Sequence, residues 1–176
     1  MSQTKRLALC GVLAGLSVAV MWMIGLIPSM DFALPAVAGL LTLFAVIEVN
    51  RFWALGIYLV AGTLSFLLLP EKTIPLLYLL FFGYYPSLKS FLEQKLPRWL
   101  ERILKMTSFN AAMAAFYFIA SRLFSVSFEE FGDFGRWSAL VMLGAGNVAF
   151  ALYDFCAGSL VTIYLRRWQK KFRRLL

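Results

Sequence analysis

The 176-residue chain contains no histidine. Ser-His and Cys-His nucleophilic pairs, imidazole metal sites and phosphohistidine chemistry are therefore excluded. Cysteine is nearly missing too: Cys10 and Cys156 both fall in long apolar stretches, where thiols act as packing residues and imply no disulfide framework. Charge is sparse, at 15% of residues, and the 9 acids are outnumbered by 17 lysines and arginines. No glycine-rich phosphate loop of the Walker type occurs, so energy from a nucleotide would have to come from another chain. The basic start at Lys5 and Arg6 resembles a signal peptide's n-region. The apolar run behind it is too long and lacks an A-x-A-like cleavage site, so it is expected to stay as a first helix.

What the chain has instead is apolar length. Hydrophobic residues make up 61% of it and the mean hydropathy is +0.78, far above the usual share of a water-exposed domain. The expected fold is an all-α integral membrane protein, one domain over residues 1–176. Six transmembrane helices are predicted, at about Leu7–Ile27, Ala36–Val49, Phe52–Leu69, from Ile74 towards a kink or stop at Pro86, Met106–Phe124 and Trp137–Leu165. Between 93 and 105, Leu96, Leu100 and Ile103 alternate with Lys95, Arg98, Glu101 and Arg102 at helical spacing. That pattern predicts an amphipathic helix lying in the interface, with Trp99 at headgroup level. A second interfacial segment is expected at 166–176, where Trp168, Phe172 and Leu175 punctuate six basic residues.

With six spans, fourteen of the 17 basic residues fall on one side, and only Lys72, Arg122 and Arg136 on the other. The positive-inside rule then makes both termini cytoplasmic. Because the cations flank apolar spans, they point to anionic lipids as partners and away from nucleic acid.

Polar residues inside the spans form three stripes. On the last helix Gly144, Asn147, Ala151, Asp154 and Gly158 recur at spacings of three and four, which places them on one face. Asn110, Ala114, Tyr117 and Ser121 do the same on the preceding span, and Tyr78, Phe82, Tyr85 and Lys89 on the fourth. A charge or amide within a span is expensive and normally faces protein or water. Counting ~1.5 Å per residue from the outer ends, Tyr117 and Asn147 would face one outward-opening cavity. Asn110 and Asp154 would lie deeper, with Asn110 donating to Asp154 and Lys89 neutralising it. The plain alternative is that these groups stitch helices together. The first helix carries a seam of small residues, Ala8, Gly11, Gly15 and Ala19, open to either a neighbouring helix of the same chain or a separate subunit. Asp154 lacks a second carboxylate at useful spacing, so no enzyme, metal site or cofactor is expected.

Six spans, cytoplasmic termini and a basic N-terminus leading into a small-residue first helix resemble the substrate-binding S components of energy-coupling factor (ECF) transporters. The stretches Ile27-Pro-Ser-Met-Asp31 and Phe81-Phe-Gly-Tyr-Tyr-Pro-Ser-Leu-Lys89 are similar to small bacterial proteins grouped there. The resemblance implies capture of a vitamin-like micronutrient from outside, with Asp31, Tyr78, Tyr85, Tyr117, Arg122 and Asn147 near the ligand. It further implies docking of the first-helix seam to a transmembrane coupling subunit driven by two ATPases. A rival resemblance is to MreD-like cell-shape proteins, for which the polar stripes would be structural and the chain a non-transporting scaffold.

Overall fold

The computed structural model describes residues 3–25, 30–123 and 138–169. Every element among them is helical. They are α1 (Gln3–Trp22, closed by a 3-10 turn Met23–Gly25), α2 (Ala33–Glu48), α3 (Arg51–Leu68), α4 (Thr73–Leu77, continued by a π turn Tyr78–Phe82), α5 (Tyr85–Lys95), α6 (Arg98–Leu123) and α7 (Ser138–Ile163, continued by a π turn Tyr164–Trp168). Four stretches are long and apolar enough to cross a membrane: Gln3–Gly25, Arg51–Leu68, Arg98–Leu123 and Leu143–Arg167. Of the other two expected spans, Ala33–Glu48 is apolar but short. The other is broken into α4 and α5.

Small residues set how closely the first three helices pack. α1 turns Cys10, Leu13, Ala14, Ser17 and Met21 inward; α2 buries Ala38, Gly39, Thr42 and Ala45; α3 buries Ala54, Ala61, Gly62 and Ser65. In lipid no hydrophobic force separates inside from outside, so backbone proximity and dispersion decide which faces meet, and small side chains are favoured there. Gly39 marks a crossing where backbone itself is the close neighbour. A Cβ there would sit 2.6 Å from the Phe82 carbonyl oxygen and 2.9 Å from the Tyr153 hydroxyl.

The break between α4 and α5 has an identifiable cause. Pro86 lacks an N–H and its ring clashes with the carbonyl four residues back, at Phe82. The chain answers with a π turn, in which the Gly83 N–H donates to the Tyr78 carbonyl at 2.8 Å. Pro86 then sits in the first turn of α5, a position that needs no donor. The expected kink is therefore a restart, and the helix continues to Lys95. The extra residue of the π turn keeps Tyr78, Phe81, Phe82 and Tyr85 all buried. Around Phe81 the rings of Phe82, Tyr84, Tyr85, Phe109 and Phe150 stand at centroid distances of 4.9 to 6.3 Å. This aromatic cluster is the core joining α4 and α5 to α6 and α7.

The expected interfacial helix over 93–105 is not one element. Leu96, ahead of Pro97, is extended (φ −119°, ψ 150°), because proline disfavours the helical region for the residue before it. Glu93 and Lys95 end α5, while Arg98–Lys105 form the first turns of α6. The expected segment 166–176 lies mostly outside the described residues; Arg166 and Arg167 continue α7. The loop Ser125–Arg136 also lies outside them.

Candidate functional site

Asp154 is the hub of a charge cluster built by three helices. On α5, Tyr85, Lys89 and Glu93 recur every four residues and so share a face. On α6, Glu101 and Lys105 stand one turn apart. The Tyr85 hydroxyl donates to Asp154 Oδ1 at 2.5 Å, and Lys89 Nζ donates to the same oxygen and to the Asp154 carbonyl at 3.3 Å. Lys105 reaches Asp154 Oδ2 at 3.3 Å, Glu93 at 2.8 Å and Glu101 at 2.6 Å, and Lys89 reaches Glu93 at 2.9 Å. Lys89 and Lys105 are only 5% and 3% exposed. Burial that complete is tolerated because each ammonium meets at least two carboxylates.

Two cations against three carboxylates leave the cluster one charge negative. Burial works against the Glu93 carboxylate, yet hydrogen bonds from Lys105 and Lys89, with their charges, outweigh it and hold the carboxyl below its ordinary value. Gly158 leaves room for the arrangement: Lys89 Nζ lies 3.8 Å from where a Cβ would stand. Beside the cluster an open groove of about 690 Å³ runs along α7, with Lys89, Glu93, Asp154, Phe155, Gly158 and Thr162 on its walls. Among the described residues no three His, Cys, Asp or Glu side chains gather as metal ligands. The carboxylates are instead committed to lysines, so the cluster acts as a latch holding α7 to α5 and α6.

A second latch lies further along α7. Asn110 and Asn147 exchange side-chain amide hydrogen bonds at 3.1 and 2.9 Å. Each also donates to the carbonyl four residues before it, Met106 and Leu143. Asn110 therefore meets Asn147 where Asp154 was expected, and the Asn147 amide is engaged between helices. Phe109 and Phe150 stack directly beside this pair, with centroids 4.8 Å apart and planes 6° from parallel. A third contact, from the Tyr164 hydroxyl to Glu48 Oε1 at 2.9 Å, ties α7 to the end of α2.

No family model, curated protein or solved structure matches this chain. Its own geometry has to carry the functional reading.

The six residues assigned to a ligand do not converge. Asp31, Tyr117 and Arg122 are exposed, with Arg122 lying over the Phe118 ring at 5.6 Å. Tyr78 is wholly buried beside Ser17 and Thr42. Those two hydroxyls donate to carbonyls of their own helices, Leu13 and Gly39, and the Tyr78 hydroxyl has no hydrogen-bond partner of good geometry among the described residues. Tyr85 belongs to the charge cluster and Asn147 to the amide pair. Of the expected polar network Lys89, Asn110 and Asp154, the first and last are joined and Asn110 is not.

Ala8, Gly11, Gly15 and Ala19 are all exposed, on the face of α1 opposite its packed side. A side chain added at Gly11 or Gly15 would meet nothing within 4 Å among the described residues. Among the described residues nothing packs against this face, and Cys10, Leu13, Ala14, Ser17 and Met21 make the packed face instead. Sequence reasoning missed Lys105, Glu93 and Glu101 as members of the cluster. Their signal was present as two i,i+4 acid–lysine pairs, Lys89–Glu93 and Glu101–Lys105.

Proposed function

We propose that this chain is a membrane subunit that works by docking through α1, as the substrate-capturing S component of an ECF-type micronutrient transporter. In this reading it spans a bacterial plasma membrane six times, with both termini in the cytoplasm. The short α2 and the interrupted α4–α5 supply the two spans beyond the four long helices. The observation that carries the reading is the outward small face of α1. A helix buried only on its own side gains nothing from glycines turned to lipid, whereas a partner helix can approach them closely.

The charge cluster fits the same reading as a rigid base. It lies where the basic residues of the sequence concentrate, and it fixes α7 so that docking forces on one helix reach the others. Arg122 stands seventeen residues beyond Lys105 on α6, ~25 Å along the axis. A vitamin-like ligand would then be taken up at that far end, with Asp31 and Arg122 at the rim.

One observation favours a second reading, an MreD-like scaffold. The space between α4, α5, α6 and α7 is filled by aromatic rings, as a structural subunit would have it. An affinity pull-down from native membranes in mild detergent separates the two. Recovery of a transmembrane coupling subunit with two ATPases supports the transporter. Recovery of cell-wall or division proteins without an ATPase overturns it in favour of the scaffold.

A further inference from the structure

Two cations of this protein stand apart from the carboxylate pairing seen around Asp154. Arg51 opens α3, and its guanidinium lies between the rings of Phe52 and Phe91, with Cζ 5.8 and 5.7 Å from their centroids. Lys95 Nζ lies over the same Phe91 ring at 4.9 Å. Neither cation is ion-paired among the described residues, and Arg51 Nη1 is buried without a hydrogen-bond partner. A guanidinium in that state lacks an acceptor oxygen, since its donors normally form charge-assisted, often bidentate bonds with carboxylate or phosphate.

Next to Arg51 a groove of about 420 Å³ runs between α3 and α5, with Phe52, Leu55, Tyr84, Leu88 and Phe91 on its walls, a size usual for small-ligand clefts. The Ser87 hydroxyl donates to the Arg51 carbonyl at 3.4 Å and holds the two helices together at its mouth. The groove is thus apolar along its length, with Arg51 the one cation among its lining residues and Lys95 behind the Phe91 ring. It also starts where the apolar stretch Arg51–Leu68 begins, which is the level of lipid headgroups for a spanning helix.

We propose that this groove holds one anionic phospholipid, with its phosphate on Arg51 and Lys95 and an acyl chain along Phe52, Leu55 and Leu88. The amphiphilic match argues for a lipid over a free anion, because a soluble phosphate would leave the apolar walls unused. The site is independent of the α1 seam, so it stands or falls separately from the transport reading.

The test uses the full chain purified in mild detergent and native mass spectrometry with phosphatidylglycerol or phosphatidylcholine of identical acyl chains. The wild type is expected to retain phosphatidylglycerol about tenfold over phosphatidylcholine, the size of one charge-assisted contact. Arg51→Gln should weaken retention of both lipids, since both carry the phosphate, and reduce the preference because the net-anionic phosphatidylglycerol loses more. Leu55→Trp, which fills the groove and keeps the charge, should reduce retention of both lipids and covers the case in which Arg51→Gln does not fold. A phosphatidylglycerol preference that survives both substitutions overturns the proposal. So does equal retention of the two lipids by the wild type, or displacement of phosphatidylglycerol by millimolar inorganic phosphate, which would mark a soluble-anion site.

Discussion

Replacing Gly11 and Gly15 together by leucine separates a docking face from a packing face. Within the chain the substitution meets no obstacle, since a Cβ at either position has no neighbour within 4 Å among the described residues. Leucine also favours the helix over glycine by up to about 1 kcal/mol per site. The thermal midpoint of the purified protein should therefore stay level or rise, at most by ~2–4 °C per kcal/mol for a chain of this size. At an intermolecular seam the effect runs the other way. Two leucines one turn apart hold a partner backbone away and remove the close contact that small residues permit. Co-purification of the membrane partner should fall more than tenfold, while Gly56→Leu on α3, another open glycine, should leave it unchanged. A midpoint lowered by several degrees would refute the argument, because it would show the seam packed inside the protein. Undiminished co-purification would refute it too, by moving the docking face elsewhere.

Other positions give shorter tests. Asp154→Asn removes the carboxylate closest to Lys89 and leaves that ammonium with Glu93 alone; a loss of about 2 kcal/mol is expected by thermal unfolding. Adding Lys89→Met to it should destabilise by less than the two single changes together. Gly39→Val should lower stability by about 3 kcal/mol, because its Cβ would press on the Phe82 backbone rather than on a side chain that can move; a midpoint like that of the wild type would contradict this. Glu93 supplies a pH test. Its folded pKa is held below the unfolded value, so its contribution is fully present above about pH 4.3 and disappears as pH falls through the folded value. The gap in thermal midpoint between wild type and Glu93→Gln should accordingly be present at pH 7 and close in acid, and a gap that persists or widens there would count against the pairing.

The apolar length and helical nature of the long stretches were legible in the sequence, as was the small-residue stripe of α1, because side-chain period and residue size determine them locally; which way that stripe faces was not. The Lys89–Asp154 pair was legible for the same reason: one long cation and one carboxylate stood at similar depths. The partner of Asn110 was not. Rise per residue gives separations along a helix, but not the offset between two helices, and a difference of about two turns exchanged Asp154 for Asn147. The charges between 93 and 105 were misread because alternation of charged and apolar residues looks alike whether the charges face water or a buried counter-ion. Pro86 announced a disturbance without its form. Whether a chain bends, stops or inserts a π turn depends on what the freed carbonyl meets, here the space left by Gly39.

The two polar latches on α7 bear on how the molecule is assembled. α7 is emitted last among the described helices, and an aspartate near a helix centre opposes insertion by ~2.5–3.5 kcal/mol on translocon scales. Lys89, Lys105 and Asn110 already belong to helices made before it. Insertion of α7 is thereby conditional on correct placement of α5 and α6, which supply the counter-charges and the amide. The spacing of Asn147 and Asp154 also acts as a two-pin key. A slip of one turn, ~5.4 Å, would unseat both pins at once, so the helix has a single depth at which it fits.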